Sequence, residues 1–167
     1  MERTRTVTWD DPQAMVRAGR EMAGDEFLRG IMRGEVAGAP MAVLMGLEID
    51  EVDAGRVVFG VEPKEYHYNP AGVVHGGLAA TLCDSAMTCA VASMLSAGVL
   101  TTTIELKVNF VRPIVEATGR LRCEGTLIHA GGRIATAEAR VIDATGTLYA
   151  HATTTCMILR PDNGRKG

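Results

Sequence analysis

Between Glu65 and Glu105 the chain carries a single formal charge, that of Asp84. Within this stretch, residues 78–96 are rich in Ala, Leu, Met and Cys, which predicts a helix, and Gly98 follows as a stop signal. A helix that lacks charge on almost every face must be surrounded by protein. The rest of the chain therefore has to fold around one central helix.

Segments with strand character lie on both sides of this helix. Residues 47–52 and 56–61 precede it, joined by a turn in which Gly55 can take a positive φ. Four more segments follow, separated by turn signals, at residues 100–111, 119–129, 133–143 and 147–159. We predict an α+β fold in which an antiparallel sheet of five or six strands wraps around one long helix.

The first 40 residues have a different pattern. Apolar residues recur at helical spacing among charges between Pro12 and Arg33, with an interruption near Gly24. Residues 41–45 then predict a short apolar helix that stops at Gly46. The chain is thus divided into an N-terminal helical arm, a main domain and a polar tail, at residues 1–40, 41–160 and 161–167.

The composition of the chain argues against nucleic acids and membranes as binding partners. The formal net charge of −3 and the sequence pI of about 5.8 give no global field to attract nucleic acid or an anionic membrane. Asp84 and several hydroxyl side chains interrupt the apolar stretch at residues 78–100, and no basic cluster flanks it, which argues against a membrane span. The N-terminus has no apolar export segment. We expect a single-domain cytoplasmic protein.

Cysteine and histidine usage gives no metal or redox motif. The four cysteines lack CxxC spacing, and two of them occupy apolar positions of the predicted helix, so we interpret them as buried, reduced thiols. The four histidines are scattered along the chain, which makes metal-free chemistry the simpler hypothesis. The cysteines are Cys83, Cys89, Cys123 and Cys156.

Asp84 and the turn at residues 75–77, His-Gly-Gly, are the strongest candidates for chemistry. An ionised carboxylate is seldom buried without a partner or a task. Glycines at a helix start offer backbone N–H groups that stabilise developing negative charge, so the pair suggests acyl transfer. The alternatives are a tight glycine turn and a polar stripe, because Thr81, Ser85 and Thr88 share a helix face with Asp84.

Two segments carry a family resemblance. Residues 69–84 read Asn-Pro-Ala-Gly-Val-Val-His-Gly-Gly-Leu-Ala-Ala-Thr-Leu-Cys-Asp, and residues 101–113 end in Phe-Val-Arg-Pro. They resemble the hotdog-fold acyl-CoA thioesterases, most closely the phenylacetate-pathway and 4-hydroxybenzoyl-CoA thioesterase branch, over roughly residues 41–159. The resemblance implies a hotdog fold and hydrolysis of acyl-CoA to free acid and CoA without a cofactor. It also implies a homodimer, or a dimer of dimers, with active sites at the interface.

The resemblance assigns the central roles to three residues. Asp84 matches the catalytic carboxylate, which would act as general base on water or attack the thioester directly as a nucleophile. The backbone N–H of Gly76 would be the oxyanion donor, with Gly77 as the alternative donor next to the substrate. Residues alone do not choose between the two carboxylate mechanisms.

Three further residues match the family pattern and also have ordinary structural interpretations. Asn69 would polarise the thioester or hold the water, although Asn before Pro is also a common turn residue. His75 would orient the loop or the departing thiol, although a His before a helix often only bonds to the backbone. Thr103 matches a Ser or Thr near the catalytic carboxylate, although Thr is also favoured in strands.

Coenzyme A carries phosphates, and two arginines lie where similar proteins place basic ligands. These are Arg112, at a strand end, and Arg133, beside the glycines at 131–132, although Lys107 and Arg160 could serve instead. The sequence does not distinguish an aliphatic from an aryl acyl group, since a pocket lined by Met, Leu and Val side chains would suit either.

Two other functions stay open. An enoyl-CoA hydratase of the same fold would need a His shortly after Asp84, which the sequence lacks. A non-catalytic acyl-CoA-binding protein would be expected to lose the carboxylate, which is present.

Overall fold

The computed structural model describes residues 2–161, which exclude all but the first residue of the predicted polar tail. The described chain contains four α-helices, namely α1 (Pro12–Glu21), α2 (Gly24–Met32), α3 (Pro40–Met45) and α4 (Gly76–Ala92), and two short 3-10 helices at Glu65–His67 and Glu116–Thr118. It contains six strands, namely β1 (Leu47–Asp53), β2 (Arg56–Val61), β3 (Leu100–Phe110), β4 (Leu121–Ala130), β5 (Ile134–Ile142) and β6 (Leu148–Leu159).

The six strands form one antiparallel sheet in the order β1-β2-β4-β5-β6-β3. The predicted hairpin is present, with Asp53 paired to Arg56 at its tip. Within residues 2–161, β3 pairs with β6 alone, so its other side presents a row of unpaired backbone N–H and C=O groups. The predicted antiparallel sheet around one helix is confirmed, with six strands.

Helix α4 packs against the inner face of this sheet. Leu82, Ala86 and Met87 are fully buried there, which explains why the helix carries no charge except Asp84. The helix begins two residues before the predicted start and ends at Ala92, before the predicted end at residue 96. It ends early because the Ser93 hydroxyl donates to the Ala90 carbonyl and accepts the N–H of Gly55 in the β1–β2 turn.

The N-terminal arm packs on the main domain. Helix α2 contacts β1 and α4, and Leu28 belongs to the hydrophobic core. Where α2 begins, the N–H of Gly24 donates to the Leu95 carbonyl over 2.9 Å. A Cβ atom on residue 24 would lie 1.8 Å from the Ala92 carbonyl oxygen, so this contact between two backbones requires glycine.

The cysteines are free thiols in the described chain, and Cys83, Cys123 and Cys156 are fully buried while Cys89 is half-buried. No helix in residues 2–161 combines the length and the apolar character that crossing a bilayer requires.

Candidate active site

Asp84 lies about halfway along α4, at the wall of a cavity of about 950 Å³. Its Oδ1 accepts a hydrogen bond of 2.7 Å from Thr103 Oγ1 on β3 and a longer one of 3.4 Å from Thr88 Oγ1. The two threonine hydroxyls are 2.9 Å apart, and because Thr103 donates its one proton to Asp84, the single Thr88 proton is shared between the Thr103 oxygen and Asp84 Oδ1. Oδ2 has no hydrogen-bond partner among residues 2–161, so it is available to water or substrate.

A β-bulge positions Thr103. The pairing of β3 with β6 shifts register between Thr103 and Glu105. As a result, Thr101 and Thr103 before the bulge, and Leu106 and Val108 after it, are all half-buried, although strict alternation would put the two pairs on opposite faces. The bulge therefore turns the Thr103 hydroxyl towards Asp84 while the strand continues to pack on α4.

The predicted His-Gly-Gly turn begins α4. His75 is the N-cap, and its Nδ1 accepts the N–H of Gly77 over 2.8 Å, so the neutral ring carries its proton on Nε2. The N–H of Gly76 has no acceptor within the described residues, as expected for the first residue of a helix. This difference favours Gly76 over Gly77 as a donor to an external oxyanion.

Two side chains shape the surroundings of Gly76. The phenyl ring of Phe110 covers it, since a Cβ atom on residue 76 would lie 3.0 Å from the ring Cζ. Asn69 holds the preceding loop, because its Oδ1 accepts the N–H groups of Ala71 (2.9 Å) and Val73 (3.4 Å). The amide NH₂ of Asn69 has no partner in the part of the chain that the structure describes. His75, Gly76 and Phe110 line a second hollow of about 450 Å³.

The candidate residues form two separate groups within one chain. The carboxylate half-site consists of Asp84, Thr88 and Thr103, near the start of β3. The loop half-site consists of Asn69, His75 and Gly76, near the end of β3, where Phe110 covers Gly76. Gly76 precedes Asp84 by eight residues of helix, a separation of about 12 Å along the axis. A thioester carbonyl cannot contact both groups across that distance.

The two predicted phosphate ligands also lie apart. Strands β3 and β5 both pair antiparallel with β6 and so run in the same direction. Arg133, just before β5, lies near the start of β3, whereas Arg112 follows its end and donates from Nη1 to the Leu148 carbonyl over 2.7 Å. Arg160 donates from Nε to the Gly132 carbonyl over 3.3 Å, which places it beside the Arg133 loop. A single chain therefore has two basic corners.

Sequence reasoning missed two features of the carboxylate half-site. Thr88, four residues after Asp84, entered only as part of a polar stripe, although the same helical spacing would have indicated its contact. Cys89, which lines the cavity, was treated only as a buried thiol. Its burial and, secondarily, the negative charge of Asp84 raise the pKa of Cys89 to about 12, so the thiol stays neutral.

The N-terminal arm forms part of the cavity wall, which the sequence did not predict. Met15 on α1 lines the cavity, as do four residues of α2, Phe27, Leu28, Ile31 and Met32. Helix α3 and strand β1 contribute further apolar side chains, including Val43 and Leu47. The carboxylate half-site thus borders a largely apolar, partly open cavity.

The chain is similar to known thioesterases. Residues 71–150 match the model of the thioesterase superfamily. A protein of Halobacterium salinarum named "putative esterase" is 32% identical over 114 residues, which cover 65% of this chain and 74% of that relative.

Two solved structures extend the comparison. The phenylacetic acid degradation-related protein of Ralstonia eutropha JMP134 has a TM-score of 0.71 and 29% identity, covering 78% of this chain and 98% of that one. A thioesterase family protein of Silicibacter pomeroyi has a TM-score of 0.71 and 26% identity, covering 80% and 99%. The sheet wrapped around α4 is thus the hotdog fold. The chain belongs to the thioesterase superfamily.

Proposed function

We propose that this protein is an acyl-CoA thioesterase that hydrolyses its substrate to a free acid and CoA. The observation that carries the proposal is the state of Asp84 in a chain of this superfamily. Thr103 holds one carboxylate oxygen at 2.7 Å, and the other oxygen has no partner among residues 2–161, at the wall of a cavity that can hold an acyl group.

The hydrolysis needs a base, a water molecule and a place for negative charge. As general base, Asp84 takes a proton from water while the water oxygen adds to the thioester carbonyl carbon. The carbonyl oxygen becomes an oxyanion, which accepts the N–H of Gly76. When the C–S bond breaks, the CoA sulfur leaves with the proton that Asp84 held. In the alternative, the Asp84 carboxylate itself attacks the carbonyl carbon, and water hydrolyses the resulting anhydride.

The separation of the half-sites supports an active site that is shared by two chains. The free edge of β3 can pair antiparallel with the β3 of a second copy. That pairing reverses one strand, so the carboxylate half-site of one chain lies towards the loop half-site of the other. Ile104 and Phe110 on this strand are 51% and 59% exposed, as expected of apolar residues that a partner covers. We therefore propose a homodimer with two sites.

The same reversal supports a shared phosphate site. It would bring the Arg112 corner of one chain towards the Arg133 corner of the other. The two guanidinium groups would then bind the phosphates of one CoA. Asn69, whose amide NH₂ has no partner in the described chain, would orient the attacking water or polarise the thioester.

The test measures thiol release from short, medium and aryl acyl-CoAs by the wild type and by Asp84→Asn. We expect turnover by the wild type and a loss of at least about a hundredfold in the variant, the low end for a positioned acid–base group. Asp10→Asn, at an exposed position that lines neither cavity, is the matched control and should keep full activity. Near-normal turnover by a well-folded Asp84→Asn protein would remove Asp84 from the mechanism and restore the polar-stripe interpretation.

A further inference from the structure

We infer that the N-terminal arm forms the acyl-binding wall of the active site and that the protein selects uncharged, medium- or long-chain aliphatic acyl groups. This inference rests on the proposed thioesterase function and names its substrate class. It comes from the composition, volume and charge of the cavity beside Asp84.

Two kinds of wall meet at this cavity. Helix α4 and strand β3 supply polar groups, namely Asp84, Ser85, Thr88 and the threonines at 101–103. The arm and α3 supply apolar groups, among them Met15, Phe27, Ile31, Met32 and Val43. A thioester whose carbonyl lies at the polar wall would therefore extend its acyl chain along the apolar one, where each buried methylene stabilises binding.

The volume favours a long acyl group over a short one or a single ring. At about 30 Å³ per carbon, close to the volume of a water molecule, a ten-carbon chain occupies about 300 Å³. The cavity has about 950 Å³, so it admits a whole ten-carbon chain, which buries more methylenes on the apolar wall than a butyryl group can. The flexible side chains of Met15 and Met32 can close on chains of different length.

The charges exclude acyl groups that end in a carboxylate. The described lining residues include Glu48, Asp50 and Asp84 but no Lys, Arg or His. Arg120 already binds Glu48 at 2.9 Å and Asp50 at 2.6 Å, so it is not available to a substrate. A terminal carboxylate would meet no cation and would lose hydration on burial.

The selecting wall lies outside the part of the chain that matches the superfamily. That match begins at residue 71, whereas α1 and α2 end before residue 33. Leu28 in the core and the close contact at Gly24 hold α2 in place. The arm residues that line the cavity therefore lie outside the residues that match the superfamily model.

The experiment compares kcat/KM for butyryl-, hexanoyl-, octanoyl- and decanoyl-CoA. For the wild type we expect a rise of about fourfold per added methylene until the wall is covered. Ile31→Trp fills the cavity, so its decanoyl-CoA value should fall at least about tenfold while the butyryl-CoA value stays within about threefold. Met32→Trp, at a side chain that is 40% exposed, makes the same test where a larger group disturbs packing less.

Two controls accompany the series. Val16→Trp adds the same side chain to α1 at a position that is 37% exposed and does not line the cavity, and it should keep the wild-type profile. The monothioester of decanedioic acid with CoA has the carbon count of decanoyl-CoA with a carboxylate in place of the terminal methyl group, and the wild type should hydrolyse it at least about tenfold less efficiently.

The overturning results are distinct from a failure of the proposed function. A flat wild-type profile, or phenylacetyl-CoA hydrolysed more efficiently than decanoyl-CoA, would overturn the inference and leave the thioesterase standing. The inference would also be overturned if Ile31→Trp and Met32→Trp showed the same dependence of kcat/KM on acyl-chain length as Val16→Trp. No thiol release from any acyl-CoA would overturn the proposed function and the inference with it. If both cavity variants fail to fold, the wild-type profile alone decides.

Discussion

The two half-sites of this protein are built in opposite ways. The carboxylate half-site uses side chains, which form a hydrogen-bonded chain from Thr88 through Thr103 to Asp84 beside a cavity of about 950 Å³. The loop half-site offers main-chain N–H at the surface, beside a hollow of about 450 Å³ and under an exposed phenyl ring. One chain therefore presents the candidate base, Asp84, and the candidate oxyanion donor, the N–H of Gly76, at two separate places.

The largest expected effect comes from removing the N–H of the loop half-site. Gly76 is the first residue of α4, where proline is well tolerated, and His75 has φ and ψ of −61° and 133°, which are allowed before proline. Gly76→Pro should therefore fold and yet lower kcat by about 100- to 1,000-fold relative to Gly76→Ala, because alanine keeps the donor. Steady-state kinetics of the two variants, with circular dichroism as a folding check, measures the difference.

The alanine variant is a matched control because both substitutions add a Cβ atom 3.0 Å from the Phe110 ring. Equal losses in the two variants would mean that Gly76 is only a packing residue.

Mixed dimers test whether the half-sites belong to different chains. Asp84→Asn and Gly76→Pro proteins, each inactive, are combined and allowed to exchange subunits after mild denaturation. Half of the dimers are then mixed, and each has one intact site, so about a quarter of wild-type activity should return. Activity that stays at background despite heterodimers verified by mass would rule out the shared site and leave the hydrolase assignment intact.

A smaller effect is expected inside the carboxylate half-site. Thr103→Val keeps the shape of the side chain but removes the hydrogen bond to Asp84, and bonds to charged groups are typically worth about 1.5–3 kcal/mol. We expect kcat to fall about tenfold or more with KM little changed, and Thr103→Ser to restore most of it. A valine variant with wild-type kcat would show that the bulge serves strand packing alone.

The smallest effect should come from the basic corners. Neutralising Arg112 or Arg133 should raise KM for an acyl-CoA by up to about tenfold and leave the hydrolysis of an acyl-pantetheine, which lacks the nucleotide, nearly unchanged. Arg17→Gln, on the exposed face of α1, serves as the control. Equal changes with both substrates would exclude contact with the CoA phosphates.

Local signals predicted most of the fold. The absence of charge around Asp84 predicted a surrounded helix, and glycine and proline punctuation predicted six strands in the right order. The end of α4 could not be predicted, since the Ser93 hydroxyl bonds to Gly55 in a turn 38 residues earlier. The bulge after Thr103 could not be predicted, because threonines occupy both faces of that strand and the sequence shows no break in alternation there.

The sequence proposed candidate site residues, but it did not give their arrangement in the folded chain. Asp84 and Gly76 were identified from their residue types and from the family pattern, and their separation follows from helical rise alone. The arm was different, because an amphipathic pattern shows that α2 has an apolar face but not what that face covers. The contact of α2 with the cavity depends on tertiary packing. The spacing of Phe27, Ile31 and Met32 along the sequence does not indicate that packing.

The contact at Gly24 makes the molecule unevenly tolerant of mutation. Position 24 touches neither half-site, yet a single methyl group there would overlap the Ala92 carbonyl and push α2 away from α4. With the arm as the acyl-binding wall that we infer, a substitution at Gly24 would change acyl-chain selection without altering Asp84 or Gly76.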